Sequence, residues 1–179
     1  MVLRKDALLA AAALVKVVND SALRHAPHAR GTVGMMDVYP NSRNVIPGRV
    51  SMSVDFRADN DKTLLDMDAE LRNAAKTLAE SHRVNIDIKQ VVYFPPQAFT
   101  PSLVDAIRTG ARALDLSEMD IVSGAGHDAV YLARIAPTAM IFIPCKDGIS
   151  HNEIEDALPE HIEAGCNVLL QAMLNTAGF

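Results

Sequence analysis

Two histidines of this 179-residue chain lie in loops where an imidazole could do chemistry. His127 follows Gly124, Ala125 and Gly126, which have little or no side chain, and His151 lies in a turn-rich segment after an apolar run. An imidazole can bind a divalent metal, transfer a proton near neutral pH or hydrogen-bond a substrate. Both loops are therefore candidates for a substrate or metal site.

The loop before His127 suits an anion. The bare backbone of Gly124 and Gly126 lets a ligand approach N–H groups closely. A helix is predicted to begin after the loop, and its positive end would face that ligand. These features indicate binding of a carboxylate or an oxyanion, and a plain turn that caps the helix explains the same residues equally well.

His151 comes after residues 139–143, whose apolar types predict a strand. Loops at the carboxyl ends of strands are where open α/β sheets bind ligands. Glu153 and Glu155 are near enough in sequence to orient the second ring nitrogen while the first binds zinc. A solvated histidine in a surface turn is the alternative interpretation.

The elements that must position these residues begin with two helices and three strands. Helical spacing of apolar residues predicts the helices, and alternation of apolar with polar residues predicts the strands. In the second strand this alternation places Arg57 on the polar face, away from the core. The order helix, strand, strand, helix, strand is that of a ferredoxin-like α+β domain without its first strand. The helices are predicted at 8–22 and 64–78, and the strands at 32–39, 49–57 and 84–94.

Pro95 and Pro96 interrupt the pattern and predict a boundary between domains 1–96 and 97–179. The second domain is predicted to contain a helix at 102–114, the strand at 139–143 and a final helix from Pro159. Fewer than ninety residues with at most two strands are too few for a whole α/β domain, so this segment is interpreted as half of one. The final helix is predicted to carry Ile162, Cys166, Leu169 and Met173 on one face, with Cys166 in the core.

Composition argues against several classes of partner. The net charge is −5, the sequence pI is about 5.6 and the basic residues are dispersed, so nucleic acid is not an expected partner. No apolar run reaches the ~18 residues of a membrane span. The first residues do not resemble a secretory signal. A cytoplasmic protein without membrane contact is expected.

Several segments resemble, in order and spacing, the two-metal amidohydrolases related to aminoacylase and the zinc carboxypeptidases. The similarity is closest to N-carbamoyl-L-amino-acid hydrolases, ureidopropionases and allantoate amidohydrolases. The segments that resemble the C-terminal signature of that family are SGAGHDA at 123–129, PTAMIFIP at 137–144 and GISHNE at 148–153. Those that resemble its lid domain are GTVG at 31–34, PNSRNVIPG at 40–48 and VDFR at 54–57.

The resemblance implies a nearly complete lid and dimerisation domain over 1–96. Residues 97–179 would be the C-terminal portion of a metallopeptidase-like α/β catalytic domain. The expected function is to form part of a metal-dependent hydrolase of linear amides, acting on N-carbamoyl-L-amino acids, ureido acids or allantoate. The lid would also form a homodimer.

The resemblance further implies roles for individual residues. His151 corresponds to the last protein ligand of a pair of zinc or manganese ions. Asn44 and Arg57 correspond to the residues that hold the substrate's carboxylate and its carbamoyl or ureido end. The substrate cleft would also be lined by Gly124, Ala125 and His127.

The family's other metal ligands and its general base have no match in these 179 residues. No catalytic residue is therefore assigned to this chain, and an N-terminal half is expected to supply them. The chain alone is expected to be inactive, because one imidazole cannot hold a dinuclear site. The alternatives are a non-catalytic dimerisation or interaction module, and part of an aminoacylase or peptidase of the same superfamily.

Overall fold

The computed structural model describes residues 1–178. The chain divides into two compact units, Met1–Pro96 and Gln97–Phe179. The described part is mixed α/β, with helices and one small antiparallel sheet. None of its helices combines the length and the apolar character needed to cross a bilayer.

The first unit consists of two helices and a β-hairpin. Helix α1, Ala7–Arg24, begins where the Asp6 carboxylate accepts a hydrogen bond from the Leu9 N–H at 3.0 Å. Strands β1 (Arg30–Tyr39) and β2 (Arg49–Arg57) pair antiparallel. Helix α2 is Asp61–His82, and the Asn60 side chain caps it by accepting from the Thr63 N–H at 2.9 Å.

The core of the first unit lies between the two helices and the hairpin. Leu14 and Val18 of α1 meet Leu71 and Ala75 of α2. Exposure alternates strictly along β2, so the predicted two-faced strand is confirmed. The apolar face of β2 that packs on this core consists of Met52, Val54 and Phe56.

The predicted third strand, 84–94, is wrong as a strand, because within residues 1–178 the sheet has two strands. Ile86 and Ile88 still pack on the core, and the Arg72 guanidinium donates to the Ile88 carbonyl at 3.4 Å. Beyond them Val91 is 83% exposed. Alternation reports which side of a segment is buried, whereas a strand also needs a partner backbone. The predicted ferredoxin-like sheet is therefore represented here by its hairpin.

The second unit is mostly helical. It contains α3 (Pro101–Ala113), the single turn α4 (Ala129–Leu132), a 3-10 turn at Lys146–Gly148 and α5 (Pro159–Ala177). The predicted strand 139–143 is not a paired strand in the described part of this unit. Thr138, just before this segment, is hydrogen-bonded to the N-cap residue of α3: its N–H donates to the Thr100 hydroxyl at 3.0 Å.

Helices α3 and α5 pack through small residues. A Cβ added to Gly110 would lie 3.0 Å from the Gln171 Cβ, so this glycine permits close approach. The buried residues at the contact are Ala111, Val168 and Ala172. The prediction that Cys166 lies in the core is wrong, since Cys166 is exposed. The other apolar residues of its face are exposed as well: Ile162 by 48%, Leu169 by 50% and Met173 by 61%.

Candidate functional site

Arg57 ends β2 on its polar face, as predicted, and contacts Asp55. The guanidinium donates from Nε to Asp55 Oδ1 at 2.8 Å and from Nη2 to Oδ2 at 3.2 Å. Residues two apart on a strand share a face, which brings the two side chains together. The hydrogen bond to Asp55, with the attraction of its charge, raises the pKa of Arg57, so the guanidinium stays protonated.

Asp55 already makes the two-pronged contact that a substrate carboxylate would make with Arg57. Both side chains are about half exposed, at 50% and 54%, so the pair is accessible to a ligand. A bound acid would compete with Asp55 or share the guanidinium with it. The role of Arg57 toward a substrate stays a prediction.

Asn44 lies in the loop that joins β1 to β2. The loop is closed by a hydrogen bond from the Gly48 N–H to the Tyr39 carbonyl at 3.1 Å. The Asn44 side chain is exposed, and its Oδ1 accepts from the Ser42 hydroxyl at 3.2 Å.

The hairpin does not bring Asn44 and Arg57 together. Arg57 pairs with Arg30 at the open end of the hairpin, whereas Asn44 lies in the loop at the closed end. The nine residues of β2 separate these ends by about 26 Å at the usual rise of a strand. One small molecule cannot touch both residues of the same chain.

The loop of the second unit holds His127 by two contacts. Its Nε2 lies 2.7 Å from Ser123 Oγ, and its ring meets the edge of Phe142 with centroids 5.5 Å apart. The Ala125 N–H donates to the same Ser123 oxygen at 3.2 Å. Ser123 was not among the predicted site residues. The available signal was a hydroxyl side chain in a glycine-rich turn, a residue type that bonds to neighbouring groups in such turns.

The glycines of this loop have space beside them. A Cβ added to Gly124 or Gly126 would meet no atom within 4 Å, and neither glycine has a positive φ. The predicted helix after the loop is the single turn α4, and its N-cap residue, Asp128, makes no side-chain capping hydrogen bond. One turn has little dipole, so the predicted attraction of an anion to a helix end is not supported.

His151 lies in a tight turn after the 3-10 turn. Its φ is +56°, in the left-handed region that few residues other than glycine adopt. Glu155 accepts from the His151 backbone N–H at 2.8 Å, which helps to hold this conformation. The sequence predicts that Glu153 or Glu155 orients the imidazole, but the Glu155 carboxylate binds the backbone N–H of His151 instead.

A pair of divalent metal ions needs several protein ligands. The exposed imidazole of His151 is a suitable donor for zinc or manganese. Within residues 1–178, however, no group of three or more His, Cys, Asp or Glu side chains is placed to hold an ion. His151 therefore fits the part of a single ligand in a site completed by other residues.

Comparison with known proteins adds independent information. The family model described as "Peptidase family M20/M25/M40" matches residues 10–175. An N-carbamoyl-L-amino-acid amidohydrolase of Rhizobium meliloti is 44% identical over 99% of this chain and 42% of its own length. A ureidoglycolate hydrolase of Arabidopsis thaliana is 33% identical over 93% of this chain and 35% of its own length. The chain thus spans about two fifths of the curated relatives that it matches.

A solved structure agrees with the sequence comparison. The crystal structure of an amidase of the hydantoinase/carbamoylase family from Burkholderia multivorans superposes with a TM-score of 0.94 at 55% identity. The match covers 98% of this chain and 43% of that one. The two chains are therefore similar in sequence as well as in fold.

Proposed function

Because the chain belongs to peptidase family M20/M25/M40, we propose that it forms the substrate-holding part of a metal-dependent hydrolase of linear amides. The proposed substrates are N-carbamoyl-L-amino acids, ureido acids or allantoate. The proposal is carried by one observation: nearly all residues of this chain, 99%, match part of an N-carbamoyl-L-amino-acid amidohydrolase.

Arg57 is proposed to hold the carboxylate of the substrate. The guanidinium is half exposed and already contacts a carboxylate with both prongs, which supports this chemistry. Asp55 holds the guanidinium in place until the substrate competes for it. Arg57 thus contributes binding and orientation, and it takes no part in proton transfer.

Asn44 is proposed to hold the other end of a substrate, the carbamoyl or ureido group, through its amide. Since about 26 Å of strand lies between Asn44 and Arg57, both can contact one molecule only if they come from two copies of the chain. We therefore propose a homodimer in which each substrate site uses Asn44 of one copy and Arg57 of the other.

His151 is proposed as one ligand of a pair of divalent ions, zinc or manganese. When bound, such ions activate water for attack on an amide. The remaining ligands and the general base are proposed to come from residues outside these 179, in an N-terminal half, either fused or as a separate chain. The chain alone is then expected not to hydrolyse substrate.

The test compares the chain alone with a fusion enzyme. In the fusion, the part of the Rhizobium meliloti relative that this chain does not match is joined to the chain. With zinc or manganese added, the fusion should hydrolyse N-carbamoyl amino acids and the chain alone should not. Hydrolysis by the chain alone that disappears in His151→Ala would contradict the proposed division of ligands. A fusion that folds, binds metal and still cleaves only dipeptides or N-acyl amino acids would favour the peptidase or aminoacylase alternative.

A non-catalytic interaction module is the second candidate function. It is favoured by the exposed apolar residues of both units, among them Val91 and Val92 in the first and Ile162 and Met173 in the second. The same fusion discriminates between the two, because an interaction module would stay inactive in a folded, metal-loaded assembly.

A further inference from the structure

The Ser123 hydroxyl and the His127 imidazole form a hydrogen bond inside the glycine-rich loop of the second unit. The distance between Ser123 Oγ and His127 Nε2 is 2.7 Å, and both residues are partly buried. A bond of this kind fixes which ring nitrogen carries the proton: if the hydroxyl donates, the bonded nitrogen is the unprotonated one.

We assign the hydroxyl as the donor in this pair, and the assignment is part of the inference. The Ala125 N–H already donates to Ser123 Oγ at 3.2 Å, so the oxygen is serving as an acceptor and its own hydrogen can turn toward the ring. Nε2 of His127 is then the acceptor.

A neutral imidazole that accepts at Nε2 carries its proton on Nδ1. The contact with the Phe142 ring, at an interplanar angle of 63°, further limits rotation of the imidazole. His127 would thus present an N–H donor in a fixed direction. Space beside Gly126, where an added Cβ meets no atom within 4 Å, lies in the same loop.

We infer that Ser123 is a positioning residue for His127: its hydroxyl holds the imidazole as the Nδ1–H tautomer, ready to donate to an oxygen of a bound acid or amide. The inference that Ser123 holds His127 as the Nδ1–H tautomer rests only on the geometry of this loop. The identification of the acceptor as a substrate oxygen rests on the proposed function.

The experiment is nuclear magnetic resonance of the ¹⁵N-labelled full chain, with long-range proton–nitrogen correlations of the histidine rings at a pH where they are neutral. The signals of His127 are those that disappear in His127→Gln. Wild type should show a protonated Nδ1 and an unprotonated Nε2. Ser123→Ala should shift the ratio of the two tautomers toward Nε2–H by about fivefold, the effect of one ordinary hydrogen bond.

Ser123→Thr, which keeps a hydroxyl, should preserve the wild-type tautomer. Ser117→Ala is the matched control, since Ser117 is an exposed serine of the same unit, and it should leave the His127 signals unchanged. A wild-type His127 with its proton on Nε2 would overturn the inference without any mutant. So would an unchanged tautomer in a folded Ser123→Ala chain.

The readout uses neither substrate nor metal, so it is independent of the proposed hydrolysis. If the fusion enzyme proves inactive while the tautomer behaves as described, the proposed function fails and the positioning of His127 stands. If the tautomer is wrong, hydrolysis by the fusion would still support the proposed function.

Discussion

At the scale of single residues, each charged side chain is best understood through its nearest partner. Arg57 contacts Asp55, and Glu70 of α2 accepts hydrogen bonds from the end of α1. The first pair is open to solvent and suits exchange with a ligand, whereas the second ties two helices together and suits stability. Substitution of Arg57 should therefore affect substrate binding, and substitution of Glu70 should affect stability.

In the fusion enzyme, Arg57→Ala should lower kcat/KM at least about tenfold, because charge-assisted hydrogen bonds are worth roughly 1.5–3 kcal/mol. Arg57→Lys should restore little, since an ammonium group keeps the charge but cannot make the two parallel bonds. Metal content should not change. Steady-state kinetics with metal analysis provide the measurement.

The control for this prediction is a substrate whose carboxylate is replaced by an uncharged amide. Wild type and Arg57→Ala should process it about equally. Equal impairment on both substrates would make Arg57 a structural partner of Asp55, an interpretation that the observed ion pair also allows.

Glu70 should make the stability of the first unit depend on acid pH. Burial would raise the pKa of Glu70, but hydrogen bonds from Ser21, Arg24 and His25 outweigh it and lower the pKa from 4.5 to about 2. A carboxyl with a lowered pKa in the folded state stabilises above its unfolded pKa. That stabilisation should be lost as the pH falls from about 4.5 toward 2.

Glu70→Gln should reduce the free energy of unfolding at neutral pH by on the order of 1–3 kcal/mol, because it weakens contacts to charged groups and to the fully buried Ser21. It should also remove the loss between pH 4.5 and 2 that belongs to this residue. Denaturant unfolding measured across this range tests both effects. Glu80→Gln, an exposed position of α2, is the control, and an identical pH profile for the two variants would refute the assignment.

At the scale of elements, close contacts depend on glycine where two backbones meet. A Cβ added to Gly31 of β1 would lie 2.7 Å from the Val18 carbonyl oxygen of α1. A Cβ added to Gly34 of the same strand would meet no atom within 4 Å. The two glycines therefore form a matched pair within one strand.

Gly31→Ala should destabilise the chain by about 1–3 kcal/mol, since overpacking forces the helix away from the strand. Gly34→Ala should be neutral or slightly stabilising, because alanine restricts the unfolded chain more than glycine does. Thermal or denaturant unfolding of both variants provides the comparison. Equal loss of stability in the two would mean that α1 and β1 are not packed as described.

At the scale of the whole molecule, the proposed binding roles of Asn44 and Arg57 imply more than one copy of the chain. Asn44 and Arg57 lie at opposite ends of the hairpin, and a small acid cannot bridge them. Exposed apolar residues in each unit provide surface that association would bury. A protein that uses both residues on one substrate should therefore be at least a dimer.

Mixed dimers test this arrangement in the fusion enzyme. Asn44→Ala and Arg57→Ala homodimers should each be impaired, because every site lacks one residue. When the two variants are co-expressed, half of the dimers should be mixed, and each mixed dimer should contain one intact site. Activity should then recover to about a quarter of the wild-type value.

Two results would contradict this arrangement. Co-expression that gives no more activity than the separate variants would mean that the residues do not act on one substrate across two copies. A single species of monomer mass in light scattering at tens of micromolar, with full activity, would do so as well.

The sequence by itself determined the local elements and the family. Apolar spacing predicted α1, α2 and α3 closely, and alternation predicted β2 and the outward position of Arg57. The motif around His127 and the segment before Arg57 carried the resemblance to the amidohydrolases. These predictions agree with the structure because helix and strand periods, caps and short motifs are set by residues near one another in the chain.

Only the tertiary structure decided which surfaces and side chains meet. It left residues 84–94 unpaired, and it buried Val168 and Ala172 of α5 rather than the larger apolar residues, because the small residues of α3 admit that face. It placed Ser123 on His127, and Asn44 far from Arg57. A periodic pattern states that a face is apolar but does not identify its partner, since partners are chosen by packing between segments distant in sequence.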